Sequence, residues 1–199
     1  MQSPASSRAA RAGVWRAVDL VFLLVLSVYV VGGLDLAPFH ADESTIIFMS
    51  RDYAYQFIDG DLDRVRYDPD APLINETQLR LINGTLSKTL IGLAWHSAGY
   101  TIDDLNTDWD WGGDWDYNVA ANHLPSAELL YVARLPQALL MAASVWAIFA
   151  LGWRLGGRGT AYAAALYLAL SPPLLLNGRR AMMEAALTCF SLLTVLAAA

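Results

Sequence analysis

The sequence predicts an all-α, polytopic membrane protein, with about four transmembrane helices and a large extracytoplasmic first loop that contains interfacial helices. Three observations carry this. Of 199 residues, 56 % are hydrophobic, and they gather into long runs rather than spreading evenly. Charge is segregated: residues 1–16 hold Arg8, Arg11 and Arg16 and no acid, whereas residues 35–133 hold seventeen Asp or Glu against five Lys or Arg. The polar region between the apolar runs shows helical rather than alternating periodicity.

Residues 1–16, rich in Ser, Ala and Arg, read as a disordered leader, and their positive charge keeps them cytoplasmic. Residues 17–34 form the first transmembrane segment, interrupted by Asp19; at ~1.5 Å per residue they span roughly 27 Å, close to the hydrocarbon core. A cleaved signal peptide is the weaker reading, because its apolar region would be shorter. In the loop 35–133, Asp42 to Ile58 is expected as one helix ended by Gly60. Residues 59–72 are acidic and turn-rich. Glu76 to His96 places Leu79, Ile82, Leu86, Leu90 and Leu93 on one stripe, which suits a helix along the membrane interface. Thr101 to Asn122, rich in Asp, Trp and Gly, is expected as an ordered aromatic loop without helical period.

Residues 134–152 form the second segment. Residues 153–159, with Arg154 and Arg158 and no acid, are a cytoplasmic connection. The third segment, 160–176, breaks at Pro172-Pro173. An extracytoplasmic corner at 177–180 leads to a fourth segment, 181–199, whose one charge is Glu184. Because the chain stops inside an apolar run, it is expected to be the N-terminal part of a longer protein.

The acidic balance excludes nucleic acid as a partner, since no basic patch exists to neutralise phosphates. The lone Cys189 sits in an apolar run, where a packed thiol is the natural reading. No cofactor is firmly implied, although a divalent cation stays open. Asp108-Trp109-Asp110-Trp111-Gly112-Gly113 partly fits a calcium loop, but position five is Gly112 and position twelve is Val119. An aromatic surface facing a carbohydrate or other acceptor fits the same stretch. His40 with Asp42 and Glu43 lies too close in sequence to complete a metal shell. His96 and His123 read as interface or loop residues. Asn75-Glu76-Thr77 and Asn83-Gly84-Thr85 are glycosylation sequons, discounted because twelve Arg against one Lys suggests a bacterial, GC-rich coding bias.

Counting crossings from a cytoplasmic N-terminus places Asp42, Glu43, Arg134, Arg179, Arg180 and Glu184 at the outer membrane surface. Ionisable groups at a membrane edge commonly mark a site. Arginines hold phosphate through charge-assisted hydrogen bonds, and a partly desolvated carboxylate suits a general base. Plainer readings stand beside these. Asp42 also fits a helix cap, the arginines fit headgroup anchors, and Glu184 fits an ion pair with Arg180 four residues earlier.

The acidic pair after the first apolar run, the large loop, Ala133-Arg134-Leu135-Pro136, and Asn177-Gly178-Arg179-Arg180-Ala181-Met182-Met183-Glu184 together resemble the N-terminal part of the GT-C membrane glycosyltransferases. The nearest branch is the protein mannosyltransferase and aminoarabinose transferase group. Asn83-Gly84-Thr85-Leu86-Ser87-Lys88 is similar to that group's loop motif, but has Asn-Gly-Thr where the family has His-Pro-Pro. Glu184 stands where the family usually has Asp. The resemblance implies inverting transfer of a sugar from a polyprenyl-phosphate donor to a lipid, glycan or protein acceptor, within a bacterial plasma membrane. Asp42 would be the general base and Glu43 its assistant. Arg134, one of Arg179 or Arg180, and more weakly Lys88 would hold the lipid phosphate, with Glu184 supporting. A transporter or flippase of lipid-linked sugars, and a non-catalytic membrane assembly protein, are the alternatives.

Overall fold

The structure, a computed structural model, describes residues 4–70, 72 and 74–199. Among these no strand occurs and the chain is all-helical. Helix α1 (Pro4–Val31) begins inside the leader expected to be disordered; its Ala and Arg content favours helix. Its outward face carries Val14, Val18, Val21, Val25 and Val28, all exposed. Asp19 within it is satisfied from far along the chain, accepting from Arg158 Nη2 (2.9 Å) and Tyr162 Oη (2.8 Å).

The helix expected over Asp42 to Ile58 is two, α2 (Ala41–Met49) and α3 (Asp52–Phe57). Ser50 makes the break: its hydroxyl donates to the Ile47 carbonyl at 2.6 Å and accepts from Trp95 Nε1 at 2.8 Å. A serine that bonds its own preceding turn competes with the helix ladder. The helix expected over Glu76 to His96 is likewise split, into α4 (Asn75–Ile82) and α5 (Thr85–Ser97). Asn83 is extended there, and its side-chain amide donates to the Leu79 carbonyl at 2.9 Å. The aromatic loop holds a 3₁₀ turn (Ile102–Asp104) and a short helix α6 (Trp115–Ala120), capped by the Asp114 carboxylate.

Helix α7 (Ala127–Leu170) starts seven residues before Arg134, capped by the Ser126 hydroxyl, and turns at Gly157 (φ 76°, ψ −169°). A β-carbon at Gly152 would lie 2.9 Å from Ala161 Cα. Nine residues along a straight helix would separate these positions by ~13.5 Å, so Gly157 folds α7 into two arms. The connection expected over 153–159 is therefore a single-glycine reversal, at a φ that costs a residue with a Cβ. Ser171 ends the second arm, and α8 (Pro172–Gly178) and α9 (Glu184–Ala198) follow.

Two apolar cores result. One joins α1, both arms of α7, α8 and α9 through Val30, Met141, Val145, Phe149, Ala161, Ala165, Leu175 and Ala185. The other gathers the polar region on the start of α7 through Ile47, Ile91, Trp95, Leu129, Ala133 and Met182. Two helices, Gly13–Val31 and Ala127–Leu170, are long and apolar enough to cross a membrane; Glu184–Ala198 is apolar but shorter. The candidate site lies where the two cores meet.

Candidate functional site

The junction is held by Glu43 and Arg134, both buried, at 0 % and 3 % exposure. Glu43 stands in the first turn of α2 and closes a capping box with His40, an arrangement that satisfies free N–H groups at a helix start. Its Oε2 accepts the His40 backbone N–H (3.0 Å) and Arg134 Nη2 (2.7 Å), while Oε1 accepts Arg134 Nε (2.7 Å) and the Ala181 N–H (2.8 Å). Arg134 Nη1 donates to the carbonyls of Leu34 and Ala37, each at 2.8 Å. One ion pair thus ties the segment after α1, the start of α2, the first arm of α7 and the turn before α9. Four of the five guanidinium N–H groups are used, so neither partner is presented to a substrate. The expected assisting role of Glu43 and phosphate role of Arg134 give way to a structural one: a buried pair persists only when its remaining hydrogen-bonding capacity is filled.

Asp42, one position earlier on the helix, turns about 100° away from Glu43. Its side chain is roughly half exposed and lies 3.4 Å from His40 Nδ1. It borders two cavities. A cleft of about 530 Å³ is lined by Asp42, Thr45, Asn75, Asn83, Asp108, Trp109, Asp110, Trp111 and His123 among others. A smaller cavity of about 160 Å³ sets Asp42 with Ile46, Asn83, Met182, Met183 and Glu184. Two of the three acids that the sequence places on one membrane face, Asp42 and Glu184, therefore line one small cavity. Glu184 Oε2 is buried with no hydrogen-bond partner among the described residues.

The remaining cations divide. Arg179 donates from Nε to the Val30 carbonyl at 2.9 Å and from Nη2 to that of Tyr29, neutralising the carbonyl end of α1. Arg180 makes only long contacts, 3.3 Å each, to Pro38 O and Asn177 Oδ1, and its Nη2 carries no bond among the described residues. Lys88 is 3 % exposed and donates to Asp52 Oδ2 at 2.7 Å, which withdraws it from the phosphate role expected of it. Asp52 also binds Arg80, which Glu76 holds in turn. Burial works against the Arg80 charge, but Asp52 and Glu76 outweigh it and raise its pKa further. Nothing local marks Asp52 as the centre of this cluster, because its partners Arg80 and Lys88 come from 28 and 36 positions further along the chain.

The aromatic loop is fixed to α2 by buried amides that sequence reasoning also missed. Asn106 Nδ2 donates to the Ser44 carbonyl at 3.0 Å, and Ser44 Oγ donates to the Thr107 and His123 carbonyls. Asn118, 0 % exposed, accepts the Asp110 N–H at 2.9 Å and donates to the Asp110 and Asp114 carbonyls. Trp109 packs against Phe39 and Trp115, with ring centres 5.7 Å apart in each case. These contacts hold Asp108–Trp111 in the lining of the cleft that Asp42 also borders. Among the described residues no three His, Cys, Asp or Glu side chains converge closely enough to enclose a metal ion. Comparison of the chain with protein-family profiles, curated proteins and solved structures returns no match.

Proposed function

We propose that the chain forms part of a membrane glycosyltransferase that moves a sugar from a polyprenyl-phosphate donor to an acceptor hydroxyl at the extracytoplasmic face, with inversion. The observation that carries this reading is the contrast between neighbours: Glu43 is saturated and buried, while Asp42 is reachable and borders both cavities. A general base must be accessible and held in place. The capping box and the Glu43–Arg134 pair supply the holding.

In the proposed step the acceptor oxygen bonds to the anomeric carbon as Asp42 removes its proton. The bond from that carbon to the phosphate oxygen breaks, and polyprenyl phosphate leaves with the electron pair. Arg180, with an uncommitted Nη2, is the cation best disposed to stabilise the charge growing on that phosphate. Glu184 borders the smaller cavity, where it supports Asp42. In this reading α1, the two arms of α7 and α9 are four spans in a bacterial plasma membrane, the N-terminus is cytoplasmic, and the polar region with α4 and α5 lies at the outer interface.

The test is sugar transfer from a polyprenyl-phosphate donor in membranes, comparing the unaltered protein with Asp42→Asn at matched expression. Transfer lost in the variant supports the base. Full transfer in the variant refutes it, and no transfer by either protein favours a carrier of lipid-linked sugars.

A further inference from the structure

Four oxygens converge on one buried side chain where the aromatic loop meets α2. Asn106 is 2 % exposed. Its Nδ2 lies 3.0 Å from the Ser44 carbonyl oxygen, 2.9 Å from Ser44 Oγ, 2.7 Å from the Thr107 carbonyl oxygen and 3.4 Å from that of His123. Ser44 Oγ donates to the same Thr107 and His123 carbonyls. Asn106 Oδ1 is also buried, and it has no hydrogen-bond partner among the described residues. An amide nitrogen and a hydroxyl bring three hydrogens between them. The cluster is therefore rich in acceptors and poor in donors, and a buried acceptor without a donor forfeits its hydration.

The geometry points to a binding site for a monovalent alkali cation, held by the Ser44, Thr107 and His123 carbonyls, Ser44 Oγ and Asn106 Oδ1. Turning the Asn106 amide end for end exchanges Nδ2 for Oδ1 and sets the unpartnered oxygen among the other four. Oxygens gathered in this way need a positive charge between them. Two properties select the ion. Every ligand is neutral, and oxygen sites without carboxylates lack the charge count that gives calcium its affinity. Backbone carbonyls, by contrast, replace the hydration shell of alkali ions and hold them where a chain is unwound. The ligands come from α2, from the start of the aromatic loop and from its end beyond α6. One ion would thus close that loop onto the helix that carries Asp42. His123 also lines the larger cleft, which places the cluster at the cleft wall. The site does not depend on the reading of Asp42 as base.

The experiment is hydrogen–deuterium exchange of the full chain in lipid nanodiscs, in sodium, potassium or N-methylglucamine chloride at equal ionic strength. Uptake over residues 106–123 is expected to be roughly sixfold slower in about 150 mM of an alkali ion bound with a Kd of about 30 mM. Residues 184–198 serve as the internal reference and should not change. Protection by sodium, potassium or both supports the site, and the stronger effect names the preferred ion. Ser44→Ala deletes one ligand within a helix that tolerates alanine, and is expected to cut the protection to less than about twofold. Asn106→Asp keeps the accepting oxygens and adds a charge, so its loop is expected to gain protection from calcium that a chelator removes. An amide that serves only as a donor predicts the reverse: Asn106→Asp loosens the loop in every salt and no cation restores it, which overturns the proposal. Equal uptake in all three chlorides overturns it, as does a calcium requirement in the unaltered protein. Full alkali protection retained in both variants also overturns it, because the ion then binds elsewhere.

Discussion

Replacing Glu43 by Gln is the sharpest test of the distinction between the two adjacent acids. The carboxylate accepts four N–H groups, two on each oxygen, from Arg134, His40 and Ala181. An amide keeps one accepting oxygen, and its NH₂ meets two donors whichever way it is turned. Arg134, 3 % exposed, is left as a buried charge without a counter-charge. Removing one partner of such a pair costs about 3–5 kcal/mol, against a whole-domain stability of about 5–15 kcal/mol. The measurement is denaturant unfolding in mild detergent, followed by near-ultraviolet circular dichroism, with limited proteolysis of the region 35–133 as a second readout. Arg134→Met is expected to cost as much, and the double variant less than the sum, because it leaves no orphaned charge. A cost below about 1 kcal/mol for Glu43→Gln would refute the structural assignment and return Glu43 to the list of catalytic candidates.

Asp42→Asn should behave in the opposite way. It is expected to cost less than about 1 kcal/mol, the value of a carboxylate in a first helical turn, yet to lower transfer by about 10²-fold or more; a large loss of stability in the same unfolding assay would contradict this. Lys88→Met leaves Asp52 one ion partner short, and urea unfolding is expected to show a loss of about 1–3 kcal/mol. Gly92→Ala puts a methyl group against the root of Tyr53 and 2.9 Å from the Ser50 carbonyl, neither of which can rotate aside. It should cost about 1–3 kcal/mol and alter the Tyr and Trp near-ultraviolet signal. Asp104 is held below the ordinary carboxylate range by the Thr101 backbone N–H and then by its hydroxyl. A depressed folded pKa stabilises above the unfolded value and loses that contribution as pH falls through the folded one. NMR titration should therefore show the Thr101–Leu105 turn loosening only below the usual Asp range, and Asp104→Asn should remove that dependence.

Some of the site was readable in linear order. Apolar runs and the absence of β alternation were enough for an all-helical chain, because a helix satisfies its own backbone and leaves its signature in local periodicity. The acids and arginines bordering those runs stand out in the sequence as a set. Their division of labour was not readable. Asp42 and Glu43 are chemically alike and adjacent, and only the arrival of Arg134, ninety-one positions later, makes one a buried strut and leaves the other open to the cleft. Arg134, Arg179 and Lys88 look identical to phosphate binders until their partners are known, and those partners are backbone carbonyls and an acid from other parts of the chain. The breaks at Ser50 and Asn83 were hidden for the same reason, since the side-chain bonds at each compete with a helix that propensity alone would continue. Composition and periodicity thus determined the all-helical class and the long apolar helices. Tertiary structure decided which charges are spent on one another, because burial and pairing depend on contacts that no local stretch encodes.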